Sequence, residues 1–337
     1  MNKTNNLVSV VVVCNNPQYL VKTIESIDNQ DYDKNYIEII LVLDRLNIRE
    51  ICELLSNITQ IKLTILESKN PGVMEATNLA IQVAKGEFIA IIDSDDEMIP
   101  NRLSKQIEHL NKNMDVCAVG GHINLIDEAG KKIKVKKYNL SDKSIRKHIF
   151  EMAQLAHPAT TYRKKEVLEI GGYRDVDALD IDLWIRILEK YEINNLDYEV
   201  INYRMHPQNY SKKSIFNTNI PRLVIWISHF LRIQGIAHEL PRKGQELDWI
   251  YHNRKNVKTT FVAKLGLSDS WNLDPMFMKE LHKFKSTKNI FRYQFLVQIL
   301  RSYKREILKR FHLKIRRVLY IKFMYKRHKW TKPLNQI

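Results

Sequence analysis

Apolar residues over the first hundred positions come in short unbroken runs separated by stretches with helical spacing. The runs lie at residues 7–14, 37–43, 61–66 and 88–92 and are rich in Val and Ile. Between them Leu20, Ile24 and Ile27 recur in steps of three and four, and the segments around 48–55 and 73–84 follow the same period. Continuous apolar strands alternating with amphipathic helices predict an α/β fold whose mostly parallel sheet is covered on both faces. In such a sheet the ligand crevice lies beyond the carboxyl ends of the strands. Asn15, Asn16, Asp44 and Asp93 fall there.

Beyond residue 112 the pattern changes. Apolar runs at 116–126 and 133–138 flank Asp127-Glu128-Ala129-Gly130, a turn composition, and predict a hairpin. A helix carrying Ile145 and Ile149 follows, then Ala156-His157-Pro158-Ala159-Thr160. Gly171-Gly172 is placed to end a short helix over 166–170. Residues 180–190 predict a helix with Leu183, Trp184, Ile187 and Leu188 on its apolar face, and 198–203 a strand. From about residue 216 the spacing is helical almost throughout.

Composition narrows the class. Cys14, Cys52 and Cys117 lie in apolar runs or helical patterns without Cys-x-x-Cys spacing, which predicts reduced core thiols in a cytosolic chain. The first apolar run spans only about eight residues without a small-residue cleavage site, and reads as a buried strand rather than a signal peptide. No stretch approaches the roughly 18 uncharged apolar residues of a membrane span. The net charge of +16 is unevenly placed, residues 1–200 balancing at −6 and residues 201–337 at +22. That asymmetry points to nucleic acid, an anionic membrane surface or an acidic partner. No recognised nucleic-acid-binding module is present, so nucleic acid is not expected.

The candidate chemistry ends the fourth run. Ala90-Ile91-Ile92-Asp93-Ser94-Asp95-Asp96 leads an apolar strand into three carboxylates within four residues. Like charges that close repel, and burying them is costly unless a cation holds them. Hard oxygen ligands suit Mg²⁺ or Mn²⁺, and Mg²⁺ sites combine one or two carboxylates with substrate phosphates. On the residues alone, a solvated acidic turn capping a helix at Ile99 fits as well.

The ordered set of local patterns resembles the family 2 glycosyltransferases, which use the nucleotide-sugar-binding GT-A fold. The resemblance runs through Ser9-Val10-Val11-Val12-Val13-Cys14-Asn15-Asn16, Ser26-Ile27-Asp28-Asn29-Gln30, Asn70-Pro71-Gly72, Asn78, Ala84-Lys85-Gly86-Glu87-Phe88 and Asp93-Ser94-Asp95-Asp96. It resumes at His157-Pro158, Gly171-Gly172-Tyr173, Asp180-Ile181-Asp182-Leu183-Trp184 and Tyr203-Arg204-Met205-His206, covering about residues 7–212. It implies a GT-A catalytic domain over 1–212, with a nucleotide-binding half (1–112) and an acceptor half (113–212), then a helical basic region over 213–337. The implied reaction is inverting, metal-dependent transfer of one sugar from a nucleotide-diphosphate donor, a UDP-sugar being expected. The implied acceptor is lipid-linked or a cell-surface glycan, and the implied cofactor Mn²⁺ or Mg²⁺. Asp44 matches the carboxylate at the nucleotide base, Asp93 that at the ribose and metal, and Asp95 that at the metal–diphosphate. Asp180 matches the general base, and His206 a further contact to metal or diphosphate. Asn15, Asn70, Gly72, Asn78, Ser94, His157, Trp184 and Arg204 fall at matching positions around the substrates.

The sequence departs from the family in places. Leu43-Asp44-Arg45-Leu46 stands for the usual Asp-Asp-Gly-Ser, Thr77 for an Arg, and Leu179-Asp180 for Glu-Asp. A protein or soluble acceptor, or a non-catalytic nucleotide-sugar- or membrane-binding scaffold, remain as alternatives. The last is motivated by these departures and opposed by intact Asp93, Asp95 and Asp180. Asp182 could cap the helix of Asp180 equally well; His157, His206 and Trp184 also suit loop or core roles, and Asn15 and Asn70 turns.

Residues 291–330 carry a helical apolar stripe (Leu296, Leu300, Tyr303, Ile307, Phe311, Ile315, Val318) among many Lys and Arg. This basic amphipathic pattern predicts docking on an anionic membrane surface, on the inner face of the cell membrane; a helix packed on the catalytic domain with a solvated basic face is the alternative.

Overall fold

The computed structural model describes residues 6–206, apart from 71, 150–152 and 177, and isolated positions between 224 and 249. The basic amphipathic segment at 291–330 and the expected boundary near 212 lie outside the described residues. The chain divides into the compact units Met1–Glu246 and Leu247–Ile337, and residues 6–206 lie in the first.

Strands β1 (Val8–Cys14), β2 (Ile37–Leu43), β3 (Lys62–Glu67) and β4 (Phe88–Asp93) form the parallel half of one sheet. Its described order is β3-β2-β1-β4-β8-β6-β9-β5, with β7 paired to β6. In register, Val10 lies between Ile39 and Ala90. The rest of the sheet is β5 (Glu97–Met98), β6 (Val116–Ile126), β7 (Lys132–Lys136), β8 (Thr161–Arg163) and β9 (Glu192–Arg204). β6 and β9 run parallel to each other, whereas β8 is antiparallel to both β4 and β6.

Alternation along the strands fills two cores. Val8, Val10, Val12, Phe88, Ala90 and Ile92 face one side with Leu20, Ile24 and Ile27 of α1 (Leu20–Asp28), Ile51 of α2 (Ile48–Leu54) and Leu103, Ile107 and Leu110 of α4 (Arg102–Lys112). Val11, Ile40, Val42, Ile89 and Ile91 face the other, with Ala76, Ala80 and Ile81 of α3 (Val73–Val83) and Leu183, Trp184 and Ile187 of α7 (Leu179–Leu188). Two shorter helices, α5 (Asp142–His148) and α6 (Lys164–Glu169), flank β8 and β9 in sequence. Burial on both faces is why these strands read as unbroken apolar runs.

At the amino edge of the sheet the Ser9 hydroxyl donates to Glu38 Oε1 at 2.6 Å and accepts from Gly86 N at 2.8 Å. A Cβ on Gly86 would lie 2.5 Å from Ser9 N, so only glycine permits this approach.

Several expectations change. β9 begins at Glu192, not near 198, because polar Asn194, Asn195 and Asp197 interrupt the apolar alternation. β5 and β8 were not legible, being two and three residues long. The helix expected from Ile99 starts at Arg102. Cys14 and Cys117 are buried, but Cys52 is exposed, correcting its reading as a core thiol. Ile51 takes the buried position of α2, and one residue further on the helix turns outward. Among the described residues no helix is long and apolar enough to cross a membrane.

Arg102 is buried on the apolar face of α4, and its side chain joins β4 to the segment just before β8. It donates from Nη1 to Pro158 O (2.9 Å), from Nη2 to Ile91 O (2.8 Å) and Thr160 O (3.2 Å), and from Nε to Gln106 Oε1 (3.0 Å). Burial pulls its guanidinium down to about 9. Arg102→Met leaves these buried acceptors unpaired, at a cost of about 1–3 kcal/mol for each group left unsatisfied. Chemical denaturation should therefore show a loss of about 3 kcal/mol or more; a loss under about 1 kcal/mol would show that the carbonyls find other partners.

Candidate active site

The carboxyl ends of β1, β2, β4, β6 and β9 and the start of β8 share one edge of the sheet. The candidate residues gather there because each strand ends where its apolar run ends. Asp93, Asp95 and Asp96 can each present an oxygen so that all three lie within 4.8 Å of one another. Asp96 is buried; its Oδ1 accepts from Arg204 N at 2.8 Å and its Oδ2 has no partner. The Thr23 hydroxyl lies 3.0 and 2.8 Å from the carbonyl oxygens of Ser94 and Asp96, pinning the loop to α1. His206 Nε2 lies 2.7 Å from Asp95 Oδ2.

Burial, then the charges of Asp95 and Asp180, push Asp93 up to about 7. Burial and the charges of Asp95 and Asp93 also raise Asp96 well above the carboxylate range. Three hard oxygen donors, one of them an orphaned buried oxygen, fit a divalent cation. Asp93 and Asp95 have the more open positions to hold it.

Arg204 is fully buried, and holds this loop from behind. Its Nε donates to Asp95 O at 3.0 Å, its Nη1 to Glu128 O at 3.0 Å, and its Nη2 to the Glu97 carboxylate, while its guanidinium lies 4.5 Å from the Tyr19 ring centre. It therefore positions the acidic loop, rather than standing at the surface of the cleft.

Across the edge, Asp180 stands on the first turn of α7, partly exposed and with no bonded partner among the described residues. It is close enough for its charge to act on Asp93, His157, Tyr138 and Tyr173. Asp182, two residues on, is fully buried and bonded to Arg174 and, at 2.9 Å, to Arg186. Arg186 also donates to Ile170 O (2.7 Å) and Gly172 O (2.6 Å). Asp182 is thus the structural carboxylate of the pair. The His157 ring lies 2.9 Å from the Tyr173 hydroxyl, and burial lowers its pKa, partly opposed by Asp180. Trp184 is fully buried 6.4 Å from that ring, with Nε1 unpartnered.

Asn78 sits behind this region. It accepts from Tyr173 N (3.0 Å) and donates to Tyr173 O (2.9 Å), fixing the turn at Gly171 and Gly172, both left-handed. Gly72 precedes α3 with φ +128°, and exposed Asn70 accepts from the Ser68 hydroxyl through its carbonyl (2.6 Å). Asn15 is exposed just past β1. Asp44 is buried at the end of β2, 3.1 Å from Arg45 Nε. Arg45 has φ +66°, so the turn keeps a left-handed geometry that glycine adopts at no steric cost. Tyr138, Thr23 and Arg102 were not singled out from sequence, and Tyr173 entered only as the end of the Gly171-Gly172-Tyr173 match; the one signal for Arg102 was its placement with Gln106 on the apolar stripe of α4.

Residues 9–171 match the family model described as Glycosyl transferase family 2. An uncharacterized glycosyltransferase of Methanocaldococcus jannaschii is 33% identical over 210 residues, 59% of this chain and 71% of that protein. The O-antigen biosynthesis glycosyltransferase WbnJ of Escherichia coli is 32% identical over 216 residues, 62% of this chain and 84% of that protein. In fold, the chain is similar to S. aureus TarS 1-349 in complex with UDP-GlcNAc (TM-score 0.54, 16% identity, 82% of this chain and 80% of that one). It is also similar to the mannosyltransferase PcManGT of Pyrobaculum calidifontis in complex with GDP-Man and Mn²⁺ (TM-score 0.51, 15% identity, 88% and 87%).

The raised Asp93 has a thermodynamic consequence. Between roughly pH 4 and 7 the metal-free folded chain holds a proton that the unfolded chain has released, so stability falls as pH rises through that window. Thermal melts without divalent cation should show this fall, to which the raised Asp96 also contributes, and Asp93→Asn should reduce it. An unchanged profile in the variant would remove Asp93 as its source.

Proposed function

The chain belongs to glycosyl transferase family 2, and from that premise we propose an inverting, divalent-metal-dependent glycosyltransferase of polysaccharide biosynthesis. It moves one sugar from a nucleoside-diphosphate donor, a UDP-sugar, to a lipid-linked glycan acceptor at the inner face of the membrane. The observation that carries the reading is the unpaired carboxylate of Asp180, near enough for its charge to act on Asp93, while neighbouring Asp182 is locked into the fold. The names of relatives acting in O-antigen and amylovoran biosynthesis support the acceptor class. The UDP-GlcNAc of the TarS complex supports the donor, and the Mn²⁺ of the mannosyltransferase complex the metal.

Asp93 and Asp95 would hold the cation, with His206 oriented against Asp95. When bound, it supplies charge stabilisation to the departing diphosphate. Asp44, at the edge beyond β2, is placed for the nucleotide. Asn15, Asn70, Gly72 and Ser94 line the same edge around the donor. Asp180 takes the proton of the acceptor hydroxyl as that oxygen bonds to the anomeric carbon and the carbon–diphosphate bond breaks. Attack from the face opposite the leaving group inverts the centre. His157, held by Tyr173, walls the acceptor side. Asn78, Trp184 and Arg204 act behind the cleft by positioning.

Chelation should abolish sugar transfer and added Mn²⁺ or Mg²⁺ restore it, and Asp95→Ala should lose metal-dependent UDP binding with its melting temperature maintained. Full activity in Asp95→Ala would remove Asp95 from the metal site.

Asp180→Asn should lower kcat by roughly 10²–10⁴-fold with little change in donor affinity. Asp182→Asn should instead lower the melting temperature, because it leaves Arg174 and Arg186 without their buried counter-ion. A large kcat loss at Asp182 in a stable protein, with none at Asp180, would reverse the roles.

A further inference from the structure

The hairpin of β6 and β7 carries a dense patch of exposed positive charge. Lys131, Lys132, Lys134, Lys136 and Lys137 are all exposed, against Asp127 and Glu128 at the turn. The ammonium groups of Lys131, Lys132, Lys134 and Lys137 have no acidic partner among the described residues. Among the described residues β7 pairs only with β6. Lys134 and Lys136 share one side of the strand, opposite Val135, and at the register shift beside Leu125 and Ile126 the extra residue is Ile133. Ile133 is 56% exposed. Lysines on an edge strand also discourage pairing with other chains, but Lys131 and Lys137 lie outside β7 and an exposed Ile133 works against that purpose.

The hairpin is joined to the active site at both ends. At its turn, Asp127 O and Glu128 O accept from Arg204 Nη1 at 3.3 and 3.0 Å, the arginine that also holds Asp95 O. At its other end Tyr138 follows, its N–H donated to His122 Nδ1 at 3.3 Å. The His122 ring is in turn 3.1 Å from Asp197. Tyr138 and Ala156 both pack against the small cluster of Ile123, Ala159, Val200 and Ile201, and Tyr138 lies within the field of Asp180.

We propose that this hairpin is a docking surface for an anionic phospholipid leaflet, its lysines meeting lipid phosphates and Ile133 entering the interface. Lysine ammonium groups reach lipid headgroups while their stems lie along apolar surface. Each is worth about fivefold in partitioning near an anionic leaflet, an effect that fades within a Debye length. Docking there turns the carboxyl edge of the sheet, with Asp180, toward the leaflet. Its use, presenting a lipid-linked acceptor to that base, rests on the proposed function; the docking does not.

The test is co-sedimentation of the full chain with pure phosphatidylglycerol and pure phosphatidylcholine vesicles, beside a calorimetric titration with UDP and Mn²⁺. One variant changes Lys131, Lys132, Lys134 and Lys137 to Gln. A charge-matched control changes Lys62, Lys85, Lys112 and Lys165, at the amino edge of the sheet, to Gln. The proposal expects wild type to bind phosphatidylglycerol in a salt-sensitive way. The hairpin variant should lose at least about tenfold in partitioning, the control less than about twofold, and all three should bind UDP alike. Equal binding by wild type and hairpin variant, equal losses in both variants, or equal binding of wild type to both lipids would each overturn it. Vesicle binding without UDP binding would instead remove the donor reading and leave the docking standing.

Discussion

Three carboxylates within 4.8 Å at the end of a buried strand are an electrostatic constraint on everything around them. At that spacing each fully charged pair repels by about 3 kcal/mol at an effective dielectric of about 20. The loop stays closed because its backbone is held from outside. The Thr23 hydroxyl takes two of its carbonyls, and Arg204 takes Asp96 Oδ1 through its N–H and Asp95 O through its side chain. The length of β9, the short β5 and the position of α1 all bear on keeping those contacts in place. The repulsion that remains raises Asp93 and Asp96 and leaves the site suited to a cation.

Buried arginines tie together the segments around β8. Arg102 reaches carbonyls of β4 and of the turn at His157–Ala159, and Arg163 donates to Val116 O (3.1 Å) and Leu110 O (2.6 Å). A guanidinium presents a planar fork of five donors, so one side chain can satisfy several carbonyls where strands of opposite direction meet. Burial costs these cations solvation, and multiple charge-assisted bonds offset it. In this way His157 comes to the edge that also bears Asp93.

The two acids of α7 separate by environment. Asp182 is buried and is neutralised by Arg174 and Arg186, and the bonds of Arg186 to Ile170 and Gly172 fix the left-handed turn that Asn78 holds from α3. Asp180 stays partly exposed and unpaired among the described residues. A buried, doubly paired carboxylate is a poor proton acceptor, whereas a partly exposed, unpaired one is free to accept a proton.

The alternation of apolar runs and helical spacing determined the parallel half of the fold, because strands buried on both faces must be continuously apolar. Asp93, Asp95 and the carboxyl-edge location of the site were legible for the same reason: charge appears where burial ends. Glu192–Arg204 was half hidden, since Asn194, Asn195 and Asp197 bond to neighbouring segments instead of alternating with apolar residues. β8 is too short for a period and is defined by its partners β4 and β6. Asp180 and Asp182 are equivalent in a one-dimensional pattern, and Arg204 reads there like any surface cation. Only the tertiary structure decided which acid is paired and that Arg204 is interior, because ion pairing and burial depend on residues distant in sequence: Arg174 and Gly172 for one, Asp95, Asp96 and Glu128 for the other.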